Sequence, residues 1–149
     1  VTGVQTCALP ISAPVIATVD SLKVGLSICY DVRFPHLYRQ LATDGAQLIM
    51  VPAAFTATSG SAHWHVLLRA RAIETGCYIA APAQSGVHAD GRHTYGHSLI
   101  ISPWGDILAD AGTGDAMISA TIDPDAIIRA RRSIPSLATN PPIGSTQQR

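Results

Sequence analysis

Apolar residues recur along this chain with a period that switches between two and about 3.6, and the switches mark out its elements. Residues 15–18 and 23–28 are β-rich runs on either side of Asp20-Ser21, which predicts a hairpin. The second run ends Val-Gly-Leu-Ser-Ile-Cys, apolar or small throughout, as a strand covered on both faces must be. Phe34, Leu37, Tyr38 and Leu41 follow at i, i+3, i+4 and i+7, with Pro35 in the first turn and Gly45 as a stop. Residues 47–51 predict another buried strand, ended by Pro52. Ser59-Gly60-Ser61 leads into a helix over 62–75 closed by Gly76, and 77–81 is again strand-like.

Residues 84–96 read as a polar loop turning at Asp90-Gly91. Beyond it, 97–101 and 106–109 flank Pro103-Trp104-Gly105 as a hairpin, and 116–122 predicts one more strand. Asp123-Pro124 opens a short helix to Arg131, a cap followed by a proline at the first helical position. Strands alternating with helices, then a run of hairpin-like strands, describe an α/β layered domain.

Composition narrows the picture. Hydrophobic residues make up 47% of 149 and charged ones 13%, a globular balance with an apolar surplus that suggests surface buried against something further. The formal net charge is zero, so no nucleic acid or anionic membrane is expected as a partner, and no apolar run approaches the ~20 residues of a membrane span. Residues 1–12 stand apart: they carry no clear periodicity and resemble the translation of a widely used short-read sequencing adapter. The expected organisation is therefore 1–12 of artefactual origin, 13–143 a domain and 144–149 a tail. Without Cys7, the remaining Cys29 and Cys77 show no disulfide spacing, which suggests a reducing, cytoplasmic setting.

Cys29 is the residue with the most chemistry to offer. It ends a buried strand just before a turn and a helix, the edge at which α/β sheets display reactive groups. Backbone N–H groups after it, Tyr30 first, are placed to hold an oxyanion. The competing reading is a small buried hydrophobe, the usual fate of cysteine. The six histidines suggest no metal site: His63-x-His65 puts its rings on different faces of a helix, and His93 and His97 lie in a loop-to-strand context.

Gly25 to Pro35, reading Gly-Leu-Ser-Ile-Cys-Tyr-Asp-Val-Arg-Phe-Pro, resembles the nucleophile signature of the nitrilase superfamily, and Cys-Tyr-Asp-x-Arg-Phe is similar to its Nit-type amidase branch. The likeness continues through Pro52-Ala53-Ala54-Phe55, Gly60-x-Ala62-His63-Trp64, Arg69-x-Arg71-Ala72-x-Glu74, Tyr95-Gly96-His97-Ser98 and Pro103-Trp104-Gly105-Asp106, covering nearly all of 22–135. It implies the C-terminal half of an α-β-β-α sandwich, left incomplete here, in a homodimer or larger homo-oligomer. It implies no cofactor and a Glu–Lys–Cys set, with Cys29 forming a thioester as it hydrolyses an amide. It further implies Arg33, Phe55 and Ser59 as contacts for a small linear substrate bearing a carboxylate, as an omega-amidase or deaminated-glutathione amidase takes. The competing role for Arg33 is an ion pair with Asp31 or another internal acid.

The chain departs from the pattern at the two partners of the cysteine. It contains a single Lys, Lys23, and a single Glu, Glu74. Lys23 lies six residues before Cys29 on one strand, about 20 Å away at ~3.3 Å per residue. Glu74 is spaced for an i,i+3 pair with Arg71. This stretch alone is therefore expected to be inactive and, with a sheet face open, prone to aggregate or stay partly molten. A non-catalytic nitrilase-fold protein for binding or assembly is the alternative. A papain-like Cys–His hydrolase finds no Cys-Gly-x-Cys-Trp pattern.

Overall fold

The computed structural model describes residues 13–139. The boundary expected at residue 12 and the tail 144–149 lie outside the described residues. Strands β1 (Val15–Val19) and β2 (Leu22–Leu26) form the predicted antiparallel hairpin, with Asp20 at φ +53° in its turn. A 3-10 helix, Cys29–Arg33, then leads into α1 (Pro35–Thr43), β3 (Leu48–Met50), α2 (Ala57–Thr75) and β4 (Tyr78–Ala81). β2, β3 and β4 are parallel neighbours, so the predicted strand–helix–strand–helix–strand unit is present. β7 (Leu99–Ile101) and β8 (Ile107–Asp110) extend the sheet antiparallel, giving the order β1-β2-β3-β4-β7-β8. α3 (Pro124–Ser133) is capped by the Asp123 carboxylate, which accepts the Asp125 N–H at 2.9 Å. The fold is thus α/β as expected, a sheet with α1 and α2 packed against one face.

Three sequence expectations need correction. First, α2 starts five residues before the predicted Ala62, because Thr56 rather than Ser59-Gly60-Ser61 caps it: the Thr56 hydroxyl accepts the Ser59 N–H at 3.4 Å. Gly60 sits inside the helix because a Cβ there would overlap the Tyr95 ring. Second, the loop 84–96 holds its own antiparallel pair, β5 (Ser85–Val87) and β6 (His93–Tyr95), closed by the foreseen turn at Asp90-Gly91. Third, residues 116–122 form no strand. Among the described residues nothing pairs with them, and Met117 is 97% exposed, so strand propensity has no ladder to realise.

The core lies between the helices and one sheet face. Gly25 permits close approach there, since a Cβ would stand 3.3 Å from both Leu41 and Ala46. Ile49, Ile79 and Ile101 are aligned across β3, β4 and β7 and meet Leu41, Trp64 and Leu68, all with no exposed surface. Gly76 ends α2 in the left-handed region, φ +59°, and returns its N–H to Ala72 O at 2.8 Å. No described helix is long and apolar enough to cross a membrane.

Candidate active site

The site is laid out by hydrogen bonds that run on past the strands. Beyond the ends of β2, β3 and β4 the chains stay stitched: Ser27 N–H donates to Met50 O, Cys29 N–H to Pro52 O, Val51 N–H to Ala80 O and Ala53 N–H to Pro82 O, at 2.8–3.1 Å. Cys29, Pro52–Ala54 and Pro82–Gln84 are thereby brought to one edge. With Ile28 and Ser98 they line an open pocket of about 470 Å³ at the carboxyl ends of the parallel strands. A larger cavity, about 590 Å³, lies elsewhere, between the end of α2, α3 and residues 134–138.

Cys29 turns the chain sharply. Its φ is +46°, a left-handed conformation unusual for a residue with a side chain. The turn is braced by Asp31, whose buried carboxylate accepts the Ile28 N–H at 2.9 Å while the Asp31 N–H donates to Ile28 O. Tyr30, between them, is the second residue of the 3-10 turn and is exposed. Cys29 itself is 9% exposed and lines the pocket. Below it the Ser27 hydroxyl lies 2.7 Å from Tyr38 Oη and donates to Met50 O at 2.8 Å. Burial pushes the Tyr38 phenol far above its ordinary range, against the Ser27 hydrogen bond, so it stays neutral.

Arg33 forms no ion pair among the described residues, so the expected competitor, Asp31, does not hold it. Its guanidinium lies 5.5 Å from the Tyr30 ring centre and 5.3 Å from that of Phe55, with His63 Nδ1 3.4 Å from both terminal nitrogens. Phe55 is buried against Trp64 at 4.8 Å. Ser59 Oγ lies 2.9 Å from Thr56 Oγ1, in the first turn of α2. Tyr30, Arg33, Phe55 and His63 therefore form one cluster beside the Cys29 turn, while Ser59 belongs to the helix cap.

Glu74 binds Arg71 at 2.8 Å, as its spacing implied, and Arg71 also donates to Val32 O and covers the Tyr38 ring. Lys23 lies at the far end of β2, its ammonium beside Gly45. Cys77 is buried, its thiol 3.2 Å from Ala46 O and 3.1 Å from Arg131, and burial raises its pKa despite the Thr75 and Arg131 contacts. Neither Cys29 nor Cys77 is in a disulfide.

A group that sequence reasoning missed is His65, His97 and Asp110, whose ligand-type atoms lie within 4.8 Å of one another. Weighing histidines by local spacing tested His65 against His63 and His97 against His93. The partner of both is a carboxylate 45 and 13 residues away.

Comparison with known proteins gives these features a context. The family model described as carbon-nitrogen hydrolase matches residues 5–132. Deaminated glutathione amidase of Synechocystis sp. strain PCC 6803 is 59% identical over 115 residues, covering 77% of this chain and 42% of that protein. Among solved structures, Saccharomyces cerevisiae Nit3, of branch 10 of the nitrilase superfamily, is 36% identical with a TM-score of 0.77, covering 81% of this chain and 45% of that one. A mutant amidase from Nesterenkonia sp. AN1, with the acetamide moiety of fluoroacetamide covalently added at its active-site cysteine, is 30% identical with a TM-score of 0.68, covering 80% of this chain and 45% of that one. The chain thus spans less than half the length of these relatives.

Proposed function

Because the chain belongs to the carbon–nitrogen hydrolase family and is of the Nit type within the nitrilase superfamily, we propose that it is the nucleophile-bearing part of an amidase acting on small linear amides. Cys29 at φ +46°, on the carboxyl edge of a parallel sheet and facing a pocket, is the observation that carries the reading. Its thiolate attacks the amide carbonyl carbon, and the N–H of Tyr30, the next residue in the chain, is the backbone donor for the oxygen as it gains charge. Collapse breaks the carbon–nitrogen bond, the amine leaves with a proton from a general acid, and water then hydrolyses the thioester.

The general base and the cation of the family's set come from outside this stretch. Its one Glu is engaged by Arg71, and its one Lys is at the opposite end of β2. The 149 residues alone are accordingly inactive, and the domain spanning 13–143 needs a companion layer that carries both groups. That layer covers the open face of the sheet, in a homo-oligomeric assembly.

Arg33 sets the substrate class. Held between two rings and, among the described residues, joined only by a histidine nitrogen, its guanidinium keeps a fork available for a carboxylate. Phe55 supplies the apolar floor of that subsite; Ser59, in the cap of α2, is kept as a further substrate contact on the family resemblance alone. The preferred substrates are amides with a carboxylate a few bonds from the scissile group, such as omega-amides and deaminated glutathione, in a cytoplasmic setting.

The test is acyl-thioester trapping in the complete enzyme. Mass spectrometry of acid-quenched turnover should find the acyl mass on the peptide carrying Cys29, and Cys29→Ala should abolish both the adduct and hydrolysis. Turnover surviving in Cys29→Ala overturns the mechanism. A folded complete protein with neither adduct nor turnover assigns the chain to binding or assembly instead.

A further inference from the structure

His65, His97 and Asp110 reach one point from three parts of the chain: the middle of α2, the turn before β7 and the last residue of β8. Asp110 Oδ2 lies 3.2 Å from His65 Nε2, and Asp110 Oδ1 lies 2.9 Å from His97 Nδ1. We propose that these three side chains form a site for one late first-row divalent cation of the zinc class, independent of the Cys29 chemistry.

The donor set favours that class. Two imidazole nitrogens and one carboxylate oxygen suit zinc, nickel, cobalt or copper, whereas magnesium and calcium prefer oxygen alone. A cation bonded at about 2.0–2.2 Å to three such atoms keeps them roughly 3–3.5 Å apart. Measured from the single oxygen Asp110 Oδ2, both imidazole–carboxylate spacings already lie there, 3.2 Å to His65 Nε2 and 3.1 Å to His97 Nδ1, and the third, no more than 4.8 Å, closes with a ring rotation. The side chains of His65, His97 and Asp110 are 26%, 23% and 32% exposed, so water has room to complete the coordination.

The surroundings hold the donors in place. Trp64 Nε1 donates to His97 O at 2.8 Å, and the Gly112 N–H donates to Asp110 Oδ1 at 2.8 Å. Tyr95 stacks on the His97 ring at 4.5 Å and places its hydroxyl 3.5 Å from His65 Nδ1. These are the outer contacts that orient metal-binding imidazoles.

Without a cation the carboxylate accepts hydrogen bonds from both rings. On binding, each ring moves its proton to its other nitrogen, which for His65 is the one facing Tyr95, and the freed nitrogens bond the cation. No net redox change is needed. The neighbour of His97 is Ser98, whose hydroxyl accepts the Ala83 N–H at 2.9 Å in the wall of the Cys29 pocket. An occupied site therefore clamps α2 to the β7–β8 hairpin beside that wall.

Titration of the complete enzyme with Co²⁺, read by visible d–d absorption, tests the proposal. The expected result is saturation at one equivalent, with bands of nitrogen and oxygen ligation and displacement by Zn²⁺. Asp110→Asn and His65→Gln should each weaken binding at least ~tenfold, with far-UV circular dichroism reporting their fold, while His36→Asn, at an exposed histidine on α1, should leave it unchanged. Absence of a saturable band overturns the proposal, as does thiolate-to-cobalt charge transfer, which assigns the ion to a cysteine. Unchanged affinity in both variants overturns it as well. A readout without any variant is the melting temperature of the unaltered enzyme, which Zn²⁺ should raise; no shift at saturation counts against the site.

Discussion

The two faces of the sheet are built from equally apolar residues and meet different fates. On the helix side, Ile49, Ile79 and Ile101 have no exposed surface. On the other side, Leu26, Leu48, Met50, Ala80 and Ile100, aligned across the same strands, are only half-buried. Val24 and Tyr78, aligned with Leu48 on that face, are the buried exceptions, and Tyr78 shows what makes one. It lies on the open face yet is buried, because Asp123, at the start of α3, lies over it with its N–H 3.1 Å from the phenol. Burial is thus set by what lies above a strand and not by the strand's own residues. An apolar face with so little cover is the physical form of the statement that a layer is to be supplied.

The contrast can be broken by mutation. Trp64→Ala empties the largest fully buried side chain on the covered side and should cost about 3–5 kcal/mol, read from urea unfolding of the purified chain. Neighbouring residues on one strand give the sharpest comparison. Ile49→Ala should cost about 2–5 kcal/mol, while Met50→Ala, facing the open side, should cost about 1 kcal/mol or less. Equal losses would mean that the open face is already covered, for instance by self-association.

Tyr38→Phe removes the one phenol under Cys29 and should cost about 1 kcal/mol near neutral pH, since Ser27 keeps its bond to Met50 O. The same variant carries a pH signature. The folded phenol titrates above the unfolded one, so its stabilisation is complete below the unfolded value near 10 and is lost as pH rises beyond it. Tyr38→Phe should therefore flatten the alkaline fall in stability.

The smallest expected effect is at the α3 cap. Arg129 and the Asp125 N–H hold the Asp123 carboxyl below 3.8, so its contribution is present above that value and is lost as pH falls through the lower folded pKa. Amide protection factors in α3, taken against the intrinsic rate at each pH, should fall in acid, and Asp123→Asn, which still caps but does not titrate, should remove that dependence.

These regions also mark how far the sequence could be read. Periodicity was enough for β2-α1-β3-α2-β4, and Gly76 for the end of α2, because each depends on residues within one or two turns. The start of α2 was not legible, since Gly60 owes its place to Tyr95 across the fold. The strand expected over 116–122 had the right residues and lacked a partner. At the site, the position of Cys29 at the end of a buried strand was legible, whereas its left-handed backbone was not. The ring cluster about Arg33 and the His65–His97–Asp110 group arise from contacts 13 to 45 residues apart, which no local pattern encodes.

The backbone at Cys29 has a consequence for the gene. A side chain at φ +46° is held against about 1–2 kcal/mol of strain, and glycine would feel none of it. Cysteine codons become glycine codons by a single base change. Mutation therefore keeps offering a sturdier product that has lost its sulfur, and under the proposed chemistry selection on that sulfur refuses it. A lineage that gave up the proposed reaction would be free to drift to glycine at this position.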